Sequence, residues 1–292
     1  GAALAMGNAC VLKPAEDACL TALAFARLAG EAGLPAGALN LVTGLGDEAG
    51  AALASHPGVD HLSFTGSVEA GKQVQAAAAT HTAPVTLELG GKSAQIVFAD
   101  ADLDAALPLL VGAGLQNAGQ TCSAGSRILV ERSRFDEVVA RMAQHYRALR
   151  VGPALGDPDV GPLVSARQRE RVLGYLALAG GAGATIVAQA ALPADLPPRG
   201  FYVAPTLVAP VAADHRLAQE EVFGPLQVVL PFDGEDEAVA LANGTAFGLV
   251  AGVWTGDGAR QWRVKSSGHG REKGFEALYG FSQSKTVAFR HG

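Results

Sequence analysis

Apolar runs separated by glycine and proline turns divide the first ninety residues into repeated strand–helix units. Ala9 to Lys13 is a short apolar run that stops at Lys13-Pro14, where the residue before proline is held extended and the chain turns. Asp17 is placed to cap the following helix, whose apolar face runs through Leu20, Leu23, Ala24 and Leu28 and which ends near Gly30 and Gly33. Leu39 to Val42 predicts the next strand, followed by the turn Thr43-Gly44-Leu45-Gly46 and a helix through Ser55. Asp60 to Phe64 is a third strand, Thr65-Gly66-Ser67 opens a third helix, and Val85 to Leu89 is a fourth, buried strand. This alternation predicts an α/β fold with a parallel sheet covered by helices. Ligands in such sheets bind at the carboxyl ends of the strands, where these turns fall.

A second α/β unit starts at Ser93 to Phe98. Asp100 or Asp102 caps a helix through Leu115, and Ile128 to Val130 is the next strand. Helices are expected from Phe135 to Leu149, Ala166 to Leu178 and Glu235 to Asn243. Strands are expected at Phe201 to Val208, Leu226 to Phe232 and Leu249 to Trp254, with loops at Gly152 to Pro162 and Leu192 to Gly200.

With 292 residues, 49% apolar, 6% aromatic and 37 glycines, the composition suits an alanine- and glycine-rich α/β enzyme rather than a sandwich or a disordered chain. A net charge of −6 offers no electrostatic case for nucleic acid. The longest apolar run, Ala105 to Leu115, is too short to span a bilayer. Three cysteines without C-x-x-C spacing point to a reducing, cytoplasmic compartment and not to a disulfide framework. Gly1 to Asn8 has no charged n-region or cleavage site, so the chain is expected to begin inside a domain, as a fragment does.

Chemistry concentrates in a few stretches. In Leu115-Gln116-Asn117-Ala118-Gly119-Gln120-Thr121-Cys122-Ser123-Ala124-Gly125-Ser126 a lone cysteine sits among small residues that would let a ligand approach. Cys122 is either a small buried hydrophobe or a nucleophile. Glu88, before Gly90-Gly91, is either a general base with a carboxyl pKa raised by burial or half of a structural ion pair. Lys13 and Glu16 end the first strand as a solvated loop pair or as ligands to a ribose, where an acidic residue favours NAD over NADP. Gly66-Ser67 sets N–H groups and a hydroxyl at a helix start, a workable pyrophosphate site. Gly44-x-Gly46-x-x-x-Gly50 is one residue longer than the dinucleotide fingerprint. Glu221 and Phe223 offer a carboxylate beside a ring, for a ribose and a nicotinamide or as a loop anchor. The seven histidines are scattered without zinc-ligand spacing, so no metal is expected.

Taken together these stretches resemble the aldehyde dehydrogenase superfamily. Leu87-Glu88-Leu89-Gly90-Gly91-Lys92-Ser93-Ala94 is similar to its glutamate motif and Leu115 to Ser126 to its cysteine motif. Val11 to Glu16, Phe64 to Ser67, Glu221 to Pro225 and Ser267-Gly268-His269-Gly270-Arg271-Glu272 add to the match. The resemblance implies a Rossmann-like cofactor domain over 1–91, a catalytic α/β domain over 92–265 and a tail over 266–292. It makes Cys122 the nucleophile and Glu88 the base in oxidation of a small-molecule aldehyde through a thiohemiacetal and a thioester. It places Lys13 and Glu16 on the adenosine ribose of NAD, Gly66 and Ser67 near the pyrophosphate, Gly46, Leu89 and Gly90 at the cofactor, Glu221 on the nicotinamide ribose and Phe223 beside the nicotinamide. The tail Lys285 to Arg290 alternates like an edge strand and implies a homo-oligomer. Two departures matter. The family's Trp-Asn segment, with an oxyanion-binding asparagine, would precede Gly1, and Arg263-Val264 joins where the family carries more chain. The chain as written is therefore expected to be feebly active or inactive. A non-catalytic NAD-binding or assembly paralogue and a CoA-acylating aldehyde dehydrogenase are the competing readings.

Overall fold

The structure, a computed structural model, describes residues 1–180 and 183–257. These fall into two compact units, Gly1–Leu89 and 90–257. The Ser267 to Glu272 motif, the Arg263-Val264 junction and the expected edge strand Lys285 to Arg290 lie outside the described residues.

In the first unit α1 (Ala2–Ala5) leads into β1 (Cys10–Leu12), α2 (Cys19–Glu31) and β2 (Leu39–Leu41). A π-helical turn at Gly46–Gly50 runs into α3 (Ala51–Ala54), and β3 (Leu62–Thr65), α4 (Val68–Ala79) and β4 (Val85–Glu88) follow. The pairing is parallel, as the crossover helices require, but it forms two separate pairs, β1–β2 and β3–β4, in place of the single sheet expected. No described strand lies beside both pairs to join them.

The thin sheet has consequences for burial. The unit's core contains only Ala54, Leu62 and Ala78 as fully buried apolar residues. The apolar face expected of α2 is not core, and Leu20 is 79% exposed, because two strands of three residues cannot cover it. Nor is β4 a buried strand: only Thr86 is buried, while Glu88 is half-buried. Asp17 does not cap α2 either. It lies inside a 3₁₀ turn, Glu16–Ala18, that winds in ahead of the helix and makes Ala18 the N-cap.

The second unit is larger. Its elements are β5 (Ala94–Val97), α5 (Leu103–Leu115), β6 (Arg127–Glu131), α6 (Phe135–Ala148), α7 (Ala166–Leu176), β7 (Ala184–Gln189), β8 (Thr206–Val211), α8 (Arg216–Gln219), β9 (Leu226–Phe232), α9 (Gly234–Asn243) and β10 (Ala251–Trp254). They build one sheet in the order β10-β5-β6-β9-β8-β7, parallel except for β7 at its edge. Ile96, Leu107, Leu110, Ile128, Leu129, Met142 and Leu226 bury their side chains between this sheet and the helices. Asp102 supplies the α5 cap, accepting from Asp104 and Ala105 N–H at 3.0 and 3.2 Å. Asp100 instead accepts from Thr255 Oγ1 and Gly256 N–H. The strand expected from Phe201 starts only at Thr206; Phe201 itself makes a lone bridge to Leu163.

Candidate active site

In the first unit, the expected cofactor residues fall at the carboxyl ends of the strands. Lys13 and Glu16 follow β1 and form an ion pair at 3.7 Å. Lys13 Nζ donates to the carbonyls of Pro14 and Gly44, tying the turn after β1 to the turn after β2. The Glu16 carboxylate is held below the usual carboxylate range by N–H groups of its own residue and of Gly46, with the Lys13 charge adding to the effect. A cavity of about 300 Å³ opens beside it, lined by Pro14, Glu16, Cys19, Thr43, Gly44, Leu45 and Glu48. Ser67 is the N-cap of α4, its Oγ accepting from Ala70 N–H at 3.2 Å, which leaves the hydroxyl hydrogen to donate outward. Gly66 N–H donates to the Glu88 carbonyl at 3.0 Å, so the end of β4 is pinned beside this helix start. Leu89 spends its side chain on packing: a Cβ on Gly71 would run into it.

In the second unit the candidates gather at the opposite end of the strands. Gly90 to Lys92 lead into β5, Cys122 precedes β6, and Glu221 and Phe223 precede β9; these three strands are parallel neighbours. The entering loops touch. A Cβ on Gly91 would overlap the Cys122 carbonyl, one on Gly90 the Glu221 carboxylate, and one on Gly119 the Gly224 carbonyl. The Glu221 carboxylate accepts from Gly91 N–H at 3.0 Å. The candidates of the first unit thus lie at the carboxyl ends of its strands, and those of the second unit at the amino ends of β5, β6 and β9.

The loop that carries Cys122 is wound tightly. Asn117, Ala118 and Gly119 take successive left-handed conformations, with φ of 52°, 55° and 73°. An alanine there costs about 1–2 kcal/mol. Asn117 and Gln120 hold it by donating side-chain N–H groups to each other's carbonyls, and Gln120 Oε1 accepts from Val164 N–H. Cys122 itself is half-buried, and all three cysteines are free. Phe223 also has a left-handed backbone, φ 58°, fixed from α7: Gln168 donates to its carbonyl at 2.6 Å and Arg171 to that of Glu221 at 2.6 Å. Next to it Arg216 and then the Tyr175 hydroxyl draw the Glu220 carboxyl down to about 2.

Two buried cations were not anticipated as site residues. Arg127, at the head of β6, donates to the carbonyls of Lys92, Leu241 and Ala242, tying β5 and the last turn of α9 together. Lys92 is 2% exposed, and its Nζ has no hydrogen-bond partner among the described residues. Burial pushes its ammonium from 10.5 down to about 7, with Arg127 adding to the shift and Glu221 and Glu220 opposing it. The sequence marks Lys92 as a member of the Leu87 to Ala94 stretch and as a charged residue at the head of an otherwise apolar strand. Between pH 7 and 10.5 the unfolded chain holds this proton more tightly than the folded one, so stability rises with pH across that window. Lys92→Met is expected to stabilise the fold at pH 7 by roughly 2–4 kcal/mol and to flatten that rise, checked by urea unfolding at pH 7 and pH 10. An unchanged or lower midpoint at pH 7 would contradict it.

Among the described residues no cluster of three or more metal-ligating side chains occurs, and no helix is long and apolar enough to cross a membrane. Residues 1–266 match the aldehyde dehydrogenase family. A betaine aldehyde dehydrogenase from Rhizobium johnstonii is 41% identical over 312 residues, 98% of this chain and 64% of its own length. A crystal structure from Burkholderia cenocepacia, assigned as an aldehyde dehydrogenase, aligns with a TM-score of 0.97 and 58% identity over 100% of this chain and 67% of that one. The Mycobacterium tuberculosis aldehyde dehydrogenase complexed with NAD+ aligns at 0.90 with 40% identity, covering 95% of this chain and 62% of its own. The chain spans less than two thirds of the length of the curated relatives it matches.

Proposed function

The chain belongs to the aldehyde dehydrogenase family, and from that premise we propose that the protein oxidises an aldehyde to a carboxylic acid with NAD as hydride acceptor, Cys122 being the nucleophile and Glu88 the general base. The observation that carries this reading is the mutual contact of three strand-entry loops, one of which bears the half-buried Cys122, with a glycine at each point of closest approach. A bulky site would exclude a carbonyl carbon from sulfur; this one leaves backbone where side chains would otherwise stand.

The residues present suit NAD. An ionised Glu16 lines a cavity large enough for a nucleoside sugar, and a carboxylate there accepts from ribose hydroxyls while repelling a 2′-phosphate. Lys13 fixes that carboxylate, and Gly46 completes the turn it binds. Gly66 and the capped Ser67 supply a helix start for the pyrophosphate. Glu221, seated on Gly90 and Gly91, is the hydroxyl acceptor for the second ribose, and Phe223 flanks the ring. We expect Glu16→Ala to lower kcat/KM for NAD and to narrow its preference over NADP by about tenfold. An unchanged NAD/NADP ratio would remove Glu16 from the adenosine ribose.

The reaction starts when Cys122 Sγ adds to the aldehyde carbon and the carbonyl π pair moves to oxygen. That tetrahedral carbon can release its hydrogen with the bonding pair, which a planar aldehyde does not. NAD supplies the acceptor for that hydride when bound. A thioester remains on Cys122. Glu88 takes a proton from water, the resulting hydroxide adds to the thioester, and breaking the C–S bond yields the acid and restores the thiolate.

Incubation with NAD and a panel of aldehydes tests the proposal. NADH and acid should appear in equal amounts. Acyl-CoA formed on adding coenzyme A would make the acylating reaction the function, and NAD binding without product would make the chain a non-catalytic subunit. Because Arg263-Val264 is shorter than the family pattern, turnover below that of an intact relative is the expected result.

A further inference from the structure

The loop carrying Cys122 is fastened from beneath by two side chains that the proposed chemistry does not use. Gln227 on β9 is completely buried, as is Tyr146 on α6. The Gln227 amide donates through Nε2 to the carbonyl of Leu110 in α5 at 2.9 Å and to that of Gly125 at 2.6 Å, and its Oε1 accepts from the Tyr146 hydroxyl at 2.7 Å. A flipped amide would set its oxygen against two carbonyls, so the three bonds fix one orientation. Gly114 leaves the space for it: a Cβ there would overlap the amide. Gly125 is held at both ends, its N–H donating to the Ala113 carbonyl at 3.0 Å. Between this anchor and Cys122 the chain closes a turn, with Ala124 N–H donating to the Thr121 carbonyl at 3.0 Å.

We propose that Gln227 and Tyr146 are positioning residues for the nucleophile: the tyrosine hydroxyl orients the amide, the amide holds the Gly125 carbonyl, and the turn above it sets where Cys122 Sγ stands. This rests on the reading of Cys122 as nucleophile. Among the described residues the Tyr146 hydroxyl bonds Gln227 alone, so it acts on the loop through that amide, whose oxygen phenylalanine would leave buried and unpaired.

The test is alkylation by iodoacetamide across pH, read at each cysteine by peptide mass spectrometry, with thermal unfolding and steady-state kinetics on the same samples. Tyr146→Phe keeps the ring and removes one donor; Gln227→Glu keeps the shape and, protonated, leaves only one donor for two carbonyls. Both variants are expected to shift the pH profile of Cys122 alkylation and to lower kcat by about tenfold, with KM for NAD within about twofold. Labelling of Cys10 and Cys19, in the other unit, should stay as in the wild type. A folded variant with an unaltered Cys122 profile and kcat overturns the proposal, even if its unfolding midpoint falls; should one variant not fold, the other decides. If wild-type Cys122 labels no faster than Cys10 and Cys19 and ignores NAD and aldehyde, the nucleophile reading fails instead.

Discussion

Cys122→Ala is expected to abolish aldehyde oxidation, with turnover falling by about 10⁴-fold or more. The size of the effect follows from the chemistry. Without a nucleophile the aldehyde carbon stays planar and holds its hydrogen. Cys10 and Cys19 belong to the first unit and have no part in the loops that enter β5, β6 and β9. The substitution removes a half-buried thiol from a loop held by backbone contacts, so folding should survive it. NADH formation is the measurement, with unfolding temperature as the control. Residual turnover within tenfold of the wild type would move the nucleophile elsewhere.

Glu88→Gln is expected to separate the two halves of the reaction. A glutamine cannot take a proton from water, so thioester hydrolysis should slow by about 10²–10⁴-fold. Addition of the thiol and hydride release precede that step. The variant should therefore still give a rapid burst of about one NADH per Cys122 before a slow steady state. Loss of the burst together with turnover would place Glu88 in the first half, or in the fold of the β3–β4 pair. Stopped-flow fluorescence of NADH distinguishes these outcomes.

The parts of the fold that chain-local chemistry determines were readable. Lys13-Pro14, Thr43-Gly44 and Thr65-Gly66-Ser67 end strands for reasons of backbone geometry, and the structure turns at each. Either Asp100 or Asp102 could cap α5; only tertiary contact showed that Asp100 is occupied by Thr255 and Gly256. The strand β7 went unread because its buried positions are alanines, its Ile186 faces outward, and two register shifts break the alternation. The apolar stripe of α2 is amphipathic in sequence, but a stripe says nothing about how many strands stand beneath it.

The candidate site divides the same way. Cys122, Glu88 and Glu221 announce themselves by short motifs rich in glycine. Arg127 and Gln227 do not, because their roles depend on partners as distant in the chain as Ala242 from Arg127 and Gly125 from Gln227. A buried polar residue on a strand has no local signature; its partners define it. That Gly90-Gly91, Cys122 and Glu221 each precede an expected strand was readable, but not that these three strands are neighbours, which strand order decides.

An acyl group carried by one sulfur is the intermediate on which the proposed reaction depends. Glu88→Gln, given NAD and aldehyde and quenched with acid during its slow phase, should yield a peptide containing Cys122 that bears the acyl mass, with Cys10 and Cys19 unmodified. NADH released with no acyl group on Cys122, or with the acyl group on another residue, would contradict it.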